Sequence, residues 1–143
     1  MNENQVELVQ TTFEQVKPIV GVAADLFYGR LFELDPSLRP LFSKDLSEQK
    51  KKLMMALAFV VAGLDRPETV LPAVRELGQK HVGYGVEPHH YHTVDAALLW
   101  TLGQGLGEAF TDEVEVAWAA AYHLLANVMQ ETSIPKTAVL EPA

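Results

Sequence analysis

The sequence has no cysteine, which removes disulfides, thiolate metal centres and cysteine nucleophiles and suits a reducing compartment. It is also short of positive charge: 11 lysines and arginines stand against 19 aspartates and glutamates, a formal net charge of −8. A phosphate backbone or an anionic lipid face repels such a surface, so neither nucleic acid nor membrane is an expected partner. The longest apolar run, Leu53 to Leu64, falls short of the roughly 20 residues a bilayer span needs. The opening residues Met1-Asn2-Glu3-Asn4 lack the charged-then-apolar pattern of an export signal, and the expected location is the cytoplasm. Sustained period-two alternation, the mark of strands, is missing as well.

What remains is helical patterning at ordinary globular composition, 48% hydrophobic and 21% charged over 143 residues. A chain of that size buries about 70% of its unfolded surface around one core, and the fold class expected is all-α. The spacing predicts a first helix over Glu3 to Val16. Pro18 suits the first turn of a second helix carrying Val20, Ala24, Phe27, Leu31 and Leu34 on one side and stopping near Asp35-Pro36. Asp45 and Glu48 have capping-box spacing for a helix reaching about Leu64. Asp65-Arg66-Pro67-Glu68 restarts the chain toward His81 and Gly83-Tyr84-Gly85, Pro88 opens a helix to about Gly107, and Thr111 caps a last one to about Glu131.

Two polar residues interrupt apolar faces. Gln49 falls in the stripe Leu46, Gln49, Leu53, Leu57, Val60, Leu64, and His81 ends the stripe Leu71, Val74, Leu77, His81. Burying an amide or an imidazole is costly without a partner. Each is accounted for by a backbone carbonyl, or the two together by a flat, apolar, iron-containing ligand between them; the residues alone leave both readings open. The cluster His89, His90 and His92 is read as no metal site, because adjacent positions at a helix start diverge and no cysteine completes a set. Gly103-Gln104-Gly105-Leu106-Gly107 lacks the strand and the Lys-Ser/Thr of a phosphate loop and is read as loosening and ending a helix. No serine has a recognisable histidine–acid arrangement.

Leu26-Phe27-Tyr28-Gly29-Arg30-Leu31-Phe32, Asp35-Pro36, Arg39-Pro40-Leu41-Phe42, Gln49 with Leu53, Leu77-Gly78-Gln79-Lys80-His81, Gly85-Val86, His90-Tyr91, and Ala117-Trp118 with Tyr122 occur in that order. Over about residues 5–131 the chain thereby resembles the single-domain bacterial globins and the haem domain of flavohaemoglobins. The resemblance implies a three-over-three helical sandwich around haem b, iron protoporphyrin IX, with a globin domain over residues 1–131 and a poorly ordered tail over 132–143.

Residue by residue, the resemblance makes His81 the proximal iron ligand. Phe42 becomes the aromatic that stacks on the porphyrin, although plain core packing serves it equally. Leu53 lies against the distal face, and Leu77, Val86 and Tyr91 complete the cofactor contacts. Lys52 and Lys80 reach the propionates or are simply solvated. Tyr28 and Gln49 become the donors to bound oxygen, the alternative for Tyr28 being a core position with its hydroxyl on a carbonyl. Tyr91 matches a tyrosine that flavohaemoglobins link to a glutamate of the last helix, but here Ser133 falls at that place and Glu131 lies two residues earlier. The implied function is reversible oxygen binding that supports nitric oxide dioxygenation, with O2, NO and CO as ligands and a separate reductase as electron donor. An oxygen carrier or a gas sensor is the alternative, and a monomer or weak homodimer the expected assembly.

Overall fold

The computed structural model describes residues 1–83, 87 and 89–133, with side chains other than those of 81–83 and 131–133. The described residues form six α-helices, α1 (Glu3–Val16), α2 (Val20–Leu34), α3 (Ser47–Ala62), α4 (Pro67–Gly83), α5 (His90–Leu106) and α6 (Asp112–Ser133). Short 3-10 helices at Lys17–Ile19, Pro36–Leu41 and Gly107–Ala109 lie between them, and no strand occurs among the described residues. The all-α expectation is met.

Local chemistry sets most boundaries. Asn2 accepts from the Gln5 N–H and Gln5 returns a bond to the Asn2 N–H, a reciprocal cap on α1. Asp35 precedes a proline and is extended at φ −146° and ψ 90°, which ends α2. Gly107 takes φ 56°, a conformation that favours glycine, and ends α5 as the glycine run suggested. The Thr111 hydroxyl accepts from the Val114 N–H at 3.3 Å and opens α6.

The capping box expected at Asp45 and Glu48 does not form. Asp45 instead accepts from both the N–H and the hydroxyl of Ser47, at 2.9 and 2.7 Å. Its carboxylate is thus occupied two residues ahead, and α3 starts at Ser47 behind an N-cap, Leu46, that has no side-chain acceptor. Leu34, expected on the inner side of α2, is exposed, because the helix ends there with Leu31 as its last buried residue.

Helices α1, α3 and α4 lie over α2, α5 and α6. Helix α4 packs on α6, α2 on α5, and α1 on α6. The α1–α6 core is built on Val9, Phe13, Ala117 and Trp118, all nearly solvent-free. The Trp118 indole N–H donates to the Thr12 hydroxyl at 2.9 Å, and that hydroxyl donates to the Leu8 carbonyl at 2.6 Å. Thr12→Val keeps the shape and strands a buried indole N–H. We expect a loss of about 1–3 kcal/mol in urea unfolding; an unchanged midpoint would mean the indole finds another acceptor.

Helices α3 and α4 pack against other helices rather than along each other. They meet closely at Gly63, the C-cap of α3, where a Cβ would stand 2.1 Å from Val70 Cγ2. Only a residue without a side chain allows this approach.

Candidate functional site

The space between the two layers is a cavity of about 200 Å³ whose lining comes from every long helix and the Pro36–Leu41 turn with Phe42. Its walls are almost wholly carbon: Phe27 and Leu31 of α2 with Leu38, Leu53, Leu57 and Val60 of α3, Leu98 of α5 and Met129 of α6. Six lining residues carry polar side-chain atoms: Tyr28, Gln49, His90, Tyr91, Thr101 and Tyr122. Three of these are already engaged with the protein. The Thr101 hydroxyl donates to the Ala97 carbonyl at 2.8 Å, the Tyr122 hydroxyl donates to the Tyr91 carbonyl at 2.7 Å, and His90 Nδ1 accepts from the Glu87 N–H at 2.9 Å.

Tyr28 and Gln49 form the polar spot that faces into this apolar space. Burial raises the Tyr28 phenol pKa, and the hydrogen-bonding Gln49 side chain partly offsets the rise. The phenol therefore remains a protonated donor at neutral pH. Phe42 turns its edge to the Tyr28 ring at 5.8 Å and 74°, and Phe32 and Phe42 meet at 5.6 Å and 64°. These aromatic contacts fix the phenol beneath the corner that follows α2. On the other flank, burial likewise raises Tyr91. Tyr122 is raised further, first by burial and then by the nearby Asp95 carboxylate and the Tyr91 phenol.

The candidates named from the sequence separate into three groups. Tyr28, Phe42, Gln49, Leu53, Leu77 and Tyr91 all line the one cavity. Lys52 and Lys80 are exposed and do not line it. His81 belongs to α4, one turn past Leu77, with its side chain outside the described residues; Val86 lies wholly outside them, and so do the side chains of Glu131 and Ser133. The chemistry of the lining suits a flat, largely apolar macrocycle. Among the described residues the lining includes no acid and no lysine, the Thr101 and Tyr122 hydroxyls on the α5–α6 side serve the backbone, and the Tyr28–Gln49 pair stands on the side of α2 and α3.

Sequence reasoning missed His90. It is 8% exposed and lines the cavity, and, contrary to the expected divergence, its donor atoms lie together with those of His89 and Asp35. Nothing in the local pattern marks this, since Asp35 reaches the cluster from the end of another helix.

A two-layer six-helix fold enclosing an apolar slot with one phenol–amide pair is the architecture of a globin. The globin family profile matches residues 25–129, and the chain belongs to that family. It is similar to the flavohemoprotein of Bordetella parapertussis, 40% identical over 125 residues that make up 85% of this chain and 31% of that protein. The flavohemoprotein of Rhodopirellula baltica is 31% identical over 135 residues, 90% of this chain and 32% of that one. The chain thus spans about a third of the length of these curated relatives. Among solved structures, an engineered carbene transferase described as a "putative nitric oxide dioxygenase from Rhodothermus marinus" superposes with TM-score 0.87 at 27% identity, covering 98% of both chains. A hexacoordinated haem protein of an anhydrobiotic tardigrade, 13% identical and covering 94% of this chain and 96% of its own, shares the fold with TM-score 0.86.

Proposed function

We propose that the chain binds haem b through His81, takes O2 reversibly, and supports conversion of NO to nitrate with electrons from a separate reductase in the cytoplasm. The observation that carries this reading is the pairing of Tyr28 with Gln49 inside an otherwise apolar slot. Flavohemoprotein relatives and the Rhodothermus neighbour's name support the nitric oxide assignment. Haem iron, when bound, supplies the diatomic-ligand site and the one-electron chemistry.

The protein's own contribution follows from its residues. His81 lies on α4 one turn past Leu77, which lines the cavity, and neutral imidazole suits axial ligation of haem iron. Tyr28 and Gln49 present O–H and N–H dipoles to a ligand that gains negative charge, an interaction about twice as strong as between neutral partners. Leu53, one turn from Gln49, restricts the space around that ligand. Phe42 closes the edge of the slot. Lys52 and Lys80 are the cations proposed for the propionates, and Leu77, Val86 and Tyr91 for the proximal contacts.

An ultraviolet–visible spectrum of the purified protein tests the reading. A Soret band that shifts on dithionite reduction and again on CO addition is expected, with NO consumption under O2 when a flavin reductase and reduced nicotinamide are added. Haem binding without NO consumption would favour the oxygen-carrier reading, and the absence of any Soret band after haem addition would remove both.

A further inference from the structure

We propose that Asp35, His89 and His90 form a second site, distinct from the haem slot's iron position, that takes a divalent first-row metal ion of the Zn2+ class. One donor atom from each residue lies within 4.8 Å of the others. They come from two separate elements: Asp35 is the C-cap of α2, and His89 and His90 open α5. Two imidazoles and a carboxylate are a borderline-soft set matched to Zn2+, and three protein ligands leave a position for water.

The surroundings of two ligands have the arrangement metal sites use. His89 Nδ1 lies 3.3 Å from the Glu87 carboxylate. A carboxylate on one ring nitrogen holds the proton there and leaves Nε2 unprotonated for a cation. Asp35 uses Oδ1 for the Ser37 N–H and hydroxyl, at 3.1 and 2.5 Å, and these bonds hold its carboxyl below the usual carboxylate range. Oδ2 has no such partner among the described residues.

His90 sets the limit on affinity. Its Nδ1 accepts the Glu87 N–H at 2.9 Å, which places the ring proton on Nε2. A cation must either replace that N–H at Nδ1 or force the other tautomer and break the same bond. Binding therefore sacrifices one helix-start hydrogen bond, and the affinity expected is on the order of micromolar rather than that of a preformed structural site. The ion would tie the end of α2 to the start of α5. Leu38 and Phe42 follow Asp35, Tyr91 follows His90, and all three line the cavity, so the tie braces one edge of the slot. The proposal stands on these residues and does not depend on the haem reading.

The test is calorimetric titration of the purified, chelator-treated protein with ZnCl2, joined to thermal unfolding with and without the metal. One ion per chain and a raised Tm are expected. His89→Ala, at an exposed residue whose loss leaves the core intact, should abolish the high-affinity phase, as should Asp35→Asn. Glu87→Gln should weaken it about tenfold through the ring it orients. His92→Ala, at an exposed histidine outside the cluster, should leave it unchanged. Binding that survives both His89→Ala and Asp35→Asn, or no binding up to millimolar Zn2+, overturns the assignment.

Discussion

His81→Ala is expected to abolish stoichiometric haem retention, or to leave a five-coordinate species whose spectrum returns on adding imidazole. Few other side chains are placed to replace that imidazole on iron. Among described residues lining the cavity, the imidazole is His90, and its Nδ1 is already committed to the Glu87 N–H. No thiolate exists in the chain. On the proposed ligation, removing this imidazole leaves the apolar contacts of the slot without a bond to the iron, so haem should partition out during gel filtration. Rescue by exogenous imidazole separates loss of a ligand from loss of the fold. Full haem content with an unchanged ferrous spectrum would take His81 out of this role.

The second large effect is expected at Tyr28. Tyr28→Phe removes the buried phenol beside Gln49 while keeping the ring that packs on Phe27 and Phe42. A hydrogen bond to a ligand carrying negative charge is worth about 1.5–3 kcal/mol. Each 1.4 kcal/mol is a factor of ten, so oxygen release should accelerate about tenfold to a hundredfold. CO carries less negative charge and should leave at nearly its original rate. Gln49→Leu should have the smaller effect on oxygen, because a longer side chain loses more rotamer entropy in making the same contact. Since the two groups are proposed to share one oxygen ligand, the double mutant should fall short of the sum. Flash photolysis and stopped-flow mixing give both rates. Equal acceleration for both gases would indicate a steric gate, and no change in either would make Tyr28 a core residue only.

Much of this was legible in the sequence because the governing interactions are local. The span of α1 follows from its spacing, and Thr111 caps α6 at the place its position suggested. Gln49 was conspicuous as an amide in an apolar stripe, and the structure puts it on the cavity with Leu53, Leu57 and Val60 from the same stripe. The failures have equally physical causes. Asp45 has the spacing of a capping box, but Ser47 competes for its carboxylate at shorter range and wins. The Asp35–His89–His90 cluster depends on how the end of α2 meets the start of α5, which no local pattern encodes. The Tyr122 hydroxyl and the Tyr91 carbonyl likewise meet across two helices, so their bond was invisible although both residues were noticed.

The contact at Gly63 reaches further than its position suggests. Helix α3 carries Gln49 and Leu53, α4 carries Leu77 and His81, and the two touch closely where Gly63 meets Val70. They behave as the arms of a pair of calipers joined at one pivot. A methyl group at the pivot, 2.1 Å from Val70 Cγ2, forces the arms apart, and the displacement grows along each arm toward the residues proposed for the gas on one side and for the iron on the other. The aperture between the two chemical faces of the pocket is thus calibrated at a glycine that touches neither. Redesign of this protein for bulkier ligands has a second handle there, one that changes the separation of the walls while leaving every residue on them in place.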